Sequence, residues 1–554
     1  MRYVLGLCAV LAVAPLAAQP VINTGGAVNG ASYSPVGLAN SAIAQGSIYV
    51  VFGRNLGPAS LVTATTYPLS TTLAGTSAKV TVNGTTVNQI MLYTMATQVA
   101  MVMPSTTPTG SGTITITYNG QPSAPVALQV AATNFGIFAV NTAGSGPAVV
   151  TDANNGYISL THAANPNQTL VLWGTGLGKI SADETQPPPQ GNVGTKPTVW
   201  VGSQQANVVY WGRSGCCGGL DQINFQVPAG ITGCYVPVAV QTGSTVSNFG
   251  SIAVASSGSV CSDPIGLSST QLTLVQNGQN LSIATLDLSR STVSLNLPPP
   301  FPSTPTTTDA GSASFFRYTP TQITSSTFGQ AASVGGCMVF TISGSATVTD
   351  PVQPLGLDAG ASVALSGPNG SKTLSTLASL KGSYGATLGS STSPPLYLDA
   401  GTYTFNVPGG ADVGQFTQQL QMPPSLTWTN QSSITSVSES QGVTVNWTNA
   451  VPNGYVGITG YSFALDSTGN LSAGVIFVCK ANAGSNGVNS FSIPPPVLLS
   501  LPLSSTSSSS GFAIPTGYLG LSSQTAAQTC NAPHIDVCSA VASVLVEKTV
   551  TYTQ

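Results

Sequence analysis

The sequence predicts an all-β, multidomain fold built from tandem β-sandwiches. Three observations support this prediction: short runs that alternate apolar and hydroxyl residues, Asn-Gly turns between them, and an order of runs that recurs after about 120 residues. The chain of 554 residues is too long for one ordinary core. Its hydrophobic fraction of 42% is enough to fill several cores, whereas a disordered chain would lack such residues.

The composition limits the classes of partner. Only 5% of the residues are charged and the net charge is −3, so the surface must consist mainly of hydroxyl and amide groups. The sequence contains no basic patch that would neutralise phosphates. We therefore expect no nucleic-acid partner.

The first residues read as an export signal, which we place at residues 1–18. Arg2 supplies a positive charge, and the apolar run "YVLGLCAVLAVAPLAA" ends in small residues near Ala18. This run is too short for a comfortable membrane span, and no later window reaches about 20 consecutive apolar residues. We expect a secreted or cell-surface protein without a transmembrane segment in the mature chain.

Removal of the signal would remove Cys8 and leave eight cysteines. An even number of cysteines in an exported chain favours disulfide bonds. The candidate disulfide cysteines are Cys216, Cys217, Cys234, Cys261, Cys337, Cys479, Cys530 and Cys538. Sequence alone does not give their connectivity. Pairing of Cys530 with Cys538, and of Cys234 with either member of the adjacent pair, are guesses from proximity.

Residues 19–131 predict the first sandwich. The run "TITITY" alternates apolar and hydroxyl residues, which directs Ile114 and Ile116 towards a core and the threonines towards water. Turns are expected at Asn83-Gly84 and Asn119-Gly120, because this dipeptide suits the positive φ of tight hairpins.

Residues 132–262 predict a second copy of the same sandwich. The segment "YVVFGRNLGP" of the first copy aligns with "LVLWGTGLGK" of the second, so that Gly53 matches Gly174 and Gly57 matches Gly178. The segment "QVAMVMP" of the first copy aligns with "QINFQVP" of the second. A repeat of this length is normal for one immunoglobulin-like sandwich, so we expect two in tandem.

The second copy carries an insertion with two adjacent cysteines. Copy one reads "LYTMATQVAMVMP" where copy two reads "VYWGRSGCCGGLDQINFQVP". A metal site would need more ligands at suitable spacing, and a redox site is more often CxxC; the sequence offers neither nearby. We interpret Cys216 and Cys217 as structural cysteines on a loop, with reactive or metal-bound thiols as the alternative. We expect no metal and no cofactor.

The N-terminal half also resembles a known family. The segments "GAVNGASYSPVGLANSAIAQGSIYVVFGRNLGP", "VTVNG" and "DQINFQVP" together resemble the Solibacter-type uncharacterised domain of secreted acidobacterial proteins, which is similar to IPT/TIG immunoglobulin-like domains. The resemblance covers residues 21–260 as two tandem copies, and copy one departs from it at "TQVAMVMP". It implies an extracellular β-sandwich and carries no catalytic residues.

The second half predicts two further β-rich domains, at 263–424 and 425–554. A Pro/Thr-rich segment at 295–312 reads as a linker, and a Ser-rich stretch at 504–511 reads as a surface loop. The tetrapeptide "LDAG" occurs twice, each time before an alternating strand. The segment "SAVASVLVEK" continues into "TVTYT", which favours a strand over a helix.

Candidate catalytic residues are sparse. His162 and His534 are the only histidines, no GxSxG elbow is present, and we interpret both as loop residues. The segment "GTGLGK" reads as a sandwich turn, because prolines soon after it prevent the helix of a phosphate-binding loop. A glycosidase pair formed by Asp412 and Glu439 stays open, since paired carboxylates can come from distant strands.

Tyr210 and Trp211, at the entry to the cysteine loop, are the candidate ligand platform. Together these features predict a secreted or cell-surface, non-catalytic protein for extracellular interaction or adhesion, with an unidentified glycan or protein as partner. The alternative is a secreted hydrolase with its catalytic domain in 262–554 and the N-terminal sandwiches as accessory modules.

Overall fold

The all-β prediction is confirmed. The structure, a computed structural model, describes residues 18–194, 196–263, 266–295, 304–325, 332–343, 353–466, 468–484, 489–507 and 514–554. The longest helix in these ranges has eight residues. Most of the predicted signal peptide, residues 296–303 of the predicted Pro/Thr-rich linker and half of the predicted Ser-rich loop lie outside the described residues. The linker prediction is wrong for residues 306–312, because they belong to a strand that spans Thr306–Tyr318.

Sandwich 1 (residues 19–131) consists of two packed sheets. Its strands are β1 Val21–Asn29, β2 Ile43–Ala44, β3 Ile48–Arg54, β4 Val62–Thr63, β5 Thr72–Leu73, β6 Thr76–Val82, β7 Thr85–Asn88, β8 Ile90–Thr94, β9 Gln98–Val102, β10 Gly110–Tyr118, β11 Gln121–Pro122 and β12 Val126–Ala131. The sheet β1-β3-β9-β8-β4 faces the sheet β2-β12-β10-β6-β5. Ile114 and Ile116 are fully buried, as predicted, and Asn83 and Asn119 adopt the positive φ expected of their turns.

Sandwich 2 (residues 132–262) repeats part of this order, but its strands are hydrogen-bonded into one continuous sheet of 11 strands rather than two separate sheets. Its strands are β13 Gly136–Ile137, β14 Gly146–Pro147, β15 Val150–Thr151, β16 Thr169–Thr175, β17 Gly191–Asn192, β18 Thr198–Val201, β19 Gln204–Arg213, β20 Asp221–Gln226, β21 Gly233–Thr242, β22 Thr245–Val246 and β23 Gly250–Val254. β16 lies between β13 and β20, as β3 lies between β1 and β9 in copy one. The aligned segments of the repeat therefore occupy equivalent positions in the two sandwiches.

The carboxyl-terminal half (residues 263–554) is organised around one sheet of 14 strands. Its elements are α1 Ser269–Gln276, β24 Leu281–Ser294, β25 Thr306–Tyr318, α2 Pro320–Ser325, β26 Cys337–Ser343, β27 Leu355–Gly356, β28 Ser362–Gly367, β29 Gly370–Thr376, β30 Ser383–Ser390, β31 Thr402–Val407, β32 Phe416–Gln421, β33 Thr427–Trp428, β34 Ser436–Ser438, β35 Val443–Thr448, β36 Tyr455–Leu465, β37 Leu471–Asn482, β38 Asn489–Ile493, α3 Pro495–Leu498, β39 Thr506–Ser507, β40 Ile514–Pro515, β41 Gly517–Gln524, β42 Gln528–Thr529, β43 Val537–Thr549 and β44 Thr551–Thr553. The segment "SAVASVLVEK" lies in a strand, as predicted.

The large sheet joins the two predicted C-terminal domains. Its main order is β26-β37-β36-β41-β43-β24-β25-β30-β29-β28-β31-β32. β43 pairs in parallel with β24 from Ile283↔Val537 to Ser294↔Lys548. The sheet therefore runs without a gap across the boundary predicted at residues 424 and 425. The two strands that follow "LDAG", β28 and β31, are adjacent and antiparallel.

Two cores lie on the same side of this sheet. One contains buried residues of β24, β43 and the strands between β25 and β32. The other contains β36, β37 and β41 with the cross-strand pair Trp428 and Trp447. Each core combines residues from both predicted C-terminal domains: Cys538 of 425–554 lies in the first core, and Cys337 of 263–424 lies in the second.

The eight candidate cysteines form four disulfide bonds: Cys216–Cys217, Cys234–Cys261, Cys337–Cys479 and Cys530–Cys538. The guess for Cys530 agrees with this, but the guess that joined Cys234 to the adjacent pair is wrong. β21 and β23 are antiparallel, and Gly233 pairs with Val254. The segment that follows Val254 therefore lies close to Cys234. Cys261 is therefore the partner within reach.

We expect the buried Glu439 to make the stability of the protein depend on pH. This carboxyl is buried, its Oε1 accepts no hydrogen bond from the described residues, and burial raises its pKa to about 7. The folded state then holds a proton that the unfolded state has already released, so stability falls as pH rises from about 4.5 to about 7. Glu439→Gln should flatten this decline and raise the unfolding temperature at pH 8. Thermal unfolding of the intact protein and the variant between pH 4.5 and 8 measures the decline with pH and the unfolding temperature at pH 8. If the variant shows the same decline as the intact protein, the ionisation of Glu439 does not destabilise the fold.

Candidate functional site

The loop between β19 and β20 contacts sandwich 1. Tyr67 Oη donates a hydrogen bond to the carbonyl of Cys216 (3.3 Å) and accepts one from the N–H of Gly218 (3.0 Å). A Cβ added to Gly219 would lie 2.8 Å from the Ile48 side chain, so only glycine fits at this approach. The inserted loop thus forms part of the contact between the two sandwiches, and its cysteines bond to each other.

A fully buried ion pair closes the base of this loop. Arg213 ends β19, Asp221 begins β20, and the side chains are 1% and 0% exposed. Arg213 Nη2 donates to the carbonyl of Gly46 in sandwich 1 (3.0 Å) and of Gly178 in sandwich 2 (2.7 Å). Burial raises the pKa of Asp221, while the Arg213 guanidinium and backbone N–H donors oppose that rise. The pair serves the contact between the sandwiches.

The predicted platform residues Tyr210 and Trp211 do not form one surface. They are adjacent in β19, so their side chains point to opposite faces of the sheet. Tyr210 Oη donates to the carbonyl of Arg213 and accepts from the N–H of Gly191. Trp211 is half-buried against the core of sandwich 2, with Lys196 Nζ 5.5 Å from its ring centroid. Both residues are engaged within sandwich 2.

Both histidines lie in loops. His162 Nε2 is 2.9 Å from Asp152 Oδ2 and its side chain is 49% exposed. Asp152 Oδ1 accepts from the N–H groups of Asn154 and Gly156, so this carboxylate also orders its own turn. His534 is exposed, between the paired Cys530 and Cys538.

The two carboxylates of the open glycosidase hypothesis have separate surroundings. Asp412 Oδ2 accepts a hydrogen bond from the N–H of Asp358, in the loop beside β31. Glu439 follows β34, and its N–H donates to the carbonyl of Thr553. These contacts place Asp412 in a loop beside the first core and Glu439 beside β44.

The other side of the large sheet is the feature that sequence reasoning missed. Along β36, β37 and β43, buried residues alternate with half-buried ones, so one side of these strands faces the cores and the other remains accessible. We call this second side the outer face. Its residues include Thr285, Asp287, Ser289, Ser291, Val293, Tyr455, Thr459, Tyr461, Phe463, Ile476, Val478, Lys480, Tyr518, Gln524, Val541, Ser543, Leu545 and Glu547.

Aromatic rings cluster on the outer face. The Tyr461 and Tyr518 rings stack with centroids 4.6 Å apart, and Phe463 meets Tyr461 edge-on at 5.7 Å. Tyr461 Oη donates a hydrogen bond to Glu547 Oε1, and burial raises the pKa of both groups. Three half-buried rings on adjacent strands give a contact area that is apolar yet carries hydroxyl groups.

A cleft of about 570 Å³ opens at one end of the outer face. We call it the junction cleft, because it lies where Tyr235 of sandwich 2 and the segment before α1 meet the sheet. Its floor comes from β24, β36, β41 and β43. Its lining includes Asp263, Gln271, Thr285, Tyr455, Lys480, Gln524, Thr525, Gln528, Asp536 and Ser539.

The polar groups of the junction cleft are mixed in charge. Lys480 Nζ lies 4.7 Å from the Tyr455 ring centroid, and burial lowers the pKa of this lysine. Two carboxylates, Asp263 and Asp536, also line the cleft, and Asp536 Oδ2 accepts a hydrogen bond from the N–H of Ser282 (2.7 Å). The cleft therefore offers hydroxyl, amide and aromatic groups with few charges.

Within the described residues, no group of three or more histidine, cysteine, aspartate or glutamate side chains is placed to hold a metal ion. No helix in the described ranges has the length and hydropathy needed to cross a membrane.

Comparisons with known proteins return folds rather than a family. No protein-family model and no curated protein matches the chain. Among the solved structures similar to this chain are domains 5–6 of the S-layer protein SbsC. The match has 13% sequence identity and a TM-score of 0.16, and it covers 43% of this chain and 100% of that chain. The I9–I11 tandem from titin matches at 7% identity, with 68% and 92% coverage and TM-score 0.12.

A third structure is a Bacteroides ovatus mixed-linkage glucan utilization locus protein, SGBP-B, in complex with a mixed-linkage heptasaccharide. It matches at 10% identity, covering 90% of this chain and 96% of that chain, with TM-score 0.13. Scores this low carry no argument about function. The resemblance to the Solibacter-type domain stays a prediction.

Proposed function

We propose that this chain is an exported, non-catalytic protein that binds an extracellular polymer through the outer face. The observation that carries the proposal is the half-buried aromatic cluster of Tyr461, Phe463 and Tyr518 on a sheet whose opposite side is fully occupied by two cores. Rings held by a rigid sheet lose little conformational freedom on binding, which favours recognition. Four disulfides support an oxidising, extracellular setting.

The hydrolase alternative keeps one specific observation in its favour. Asp263 and Asp536 line the same cleft, and most glycoside hydrolases use a pair of carboxylate residues for catalysis. Asp536 already accepts a backbone hydrogen bond from Ser282, which fits a positioning role in the fold. Binding and hydrolysis differ in one measurable respect, the appearance of shortened products.

Co-sedimentation with insoluble envelope and matrix material of the source organism tests the proposal. We expect the intact protein to be retained, and Tyr461→Ala/Tyr518→Ala to lose about tenfold in affinity or more, because two stacked rings leave the contact area. Tyr157→Ala, which changes a tyrosine that is 60% exposed on sandwich 2, is the matched control and should bind normally. Equal retention of the double variant and the intact protein would overturn the proposal. Circular dichroism checks that the double variant is folded. Tyr518→Phe keeps the ring and should retain binding.

A further inference from the structure

We propose that the junction cleft binds a short, neutral oligosaccharide. This inference rests on the proposed function, because the cleft is one end of the outer face, and it names the chemical class of the ligand. The volume of about 570 Å³ lies within the range of roughly 300–1,000 Å³ in which proteins enclose small ligands. The cleft is also open to the sheet surface, so a longer chain has room to continue along the outer face.

Free hydrogen-bonding atoms in the cleft match a ligand rich in hydroxyl groups. Gln524 donates through Nε2 to Ser522, and Gln528 accepts through Oε1 from Gln418. Gln524 Oε1 and Gln528 Nε2 make no hydrogen bond to any described residue. One acceptor and one donor are therefore available on the wall of the cleft. A sugar hydroxyl can serve either atom, since it both donates and accepts.

Tyr455 supplies the apolar element that a sugar ring also needs. It is half-buried in β36, and Lys480 Nζ lies over its ring, which holds the ring in place. The flat carbon face of a pyranose packs well on an aromatic ring, while its rim of hydroxyls turns to the surrounding amides. The exposed hydroxyl of Thr285 on β24 lines the same cleft.

The charges of the cleft and the pairing of its strands disfavour two other classes of ligand, anions and extended peptides. An anionic ligand would face the carboxylates of Asp263 and Asp536, which outnumber the single ammonium of Lys480. An extended peptide would need an unpaired strand edge, but β36, β41 and β43 are each paired on both sides. A neutral polyhydroxylated chain meets neither obstacle.

Calorimetric titration of the full-length chain tests this inference. The probes are cellohexaose, laminarihexaose and maltohexaose as neutral oligosaccharides, with hexagalacturonate and chitosan hexamer as charged comparators. We expect at least one neutral probe to bind, and Tyr455→Ala to weaken it about tenfold or more through loss of the stacking surface. Tyr455→Phe keeps the ring and should bind normally, and Tyr157→Ala is the control outside the cleft.

Each outcome bears on the inference. Binding of no neutral probe, stronger binding of a charged probe, or unchanged affinity of Tyr455→Ala would overturn it. If the protein co-sediments in a way that depends on Tyr461 and Tyr518 but binds none of the oligosaccharides, the ligand class is wrong and the proposed function stands. If the probe binds and shortened products appear, the saccharide site stands and the non-catalytic function is wrong.

Discussion

Replacing Arg213 with methionine is expected to destabilise the paired sandwiches by about 3–5 kcal/mol, because it leaves a carboxylate buried without its counter-charge. Asp221 is fully buried, and two backbone N–H groups, those of Gly176 and Leu177, donate to its Oδ2. The substitution also removes the bond from Arg213 to Gly46, which links the two sandwiches, and the bond from Arg213 to Gly178 within sandwich 2.

Calorimetric unfolding of the full chain measures this effect. Arg54→Met, an exposed arginine at the end of β3, is the matched control and should shift unfolding little. The double variant Arg213→Met/Asp221→Leu should recover much of the lost stability, since an apolar pair removes the uncompensated charge. If Arg213→Met unfolds like the control, the pair does not hold the sandwiches together.

Removal of the Cys337–Cys479 disulfide is expected to produce the second large loss. The bond spans 142 residues and joins directly opposed positions on β26, at the edge of the large sheet, and β37. In the chain-entropy description, a loop of this length corresponds to about 5 kcal/mol of constraint on the unfolded state. Cys337→Ser/Cys479→Ser should therefore lower the unfolding temperature of the carboxyl-terminal half markedly.

Cys530→Ser/Cys538→Ser is the matched comparison. That bond spans eight residues, so the same description gives about 2.5 kcal/mol. Thermal unfolding of both double variants, under non-reducing conditions, measures the difference. A larger loss for the short loop than for the long one would contradict the role assigned to Cys337–Cys479.

Local patterns of the sequence predicted much of the N-terminal half. Alternation in "TITITY" placed Ile114 and Ile116 in the core, and both Asn-Gly turns have the expected φ. The repeat aligned Gly53 with Gly174, and both lie in equivalent strands, β3 and β16. These features depend on neighbours along the chain, which is why the sequence contains them.

Pairings between distant segments could not be predicted in this way. β24 and β43 lie side by side although about 250 residues separate them, and nothing in either segment specifies the other. The outer face depends on this pairing, so Tyr461 and Tyr518 looked like ordinary strand residues. Tyr210 and Trp211 drew attention by their position beside an unusual loop, but their surroundings engage both. The alternation in β36, "YVGITGYSF", places its aromatic residues in one phase, and this is the sequence signal that could have revealed the outer face.

Hydroxyl-radical footprinting of the outer face tests the central claim most directly. The intact protein is oxidised alone and while bound to the insoluble extracellular polymer, and oxidation is measured residue by residue. We predict protection of Tyr455, Tyr461, Phe463 and Tyr518, with unchanged oxidation of the exposed Tyr157 on sandwich 2. Protection confined to the sandwiches, with the four outer-face rings as reactive as in the free protein, would contradict the account.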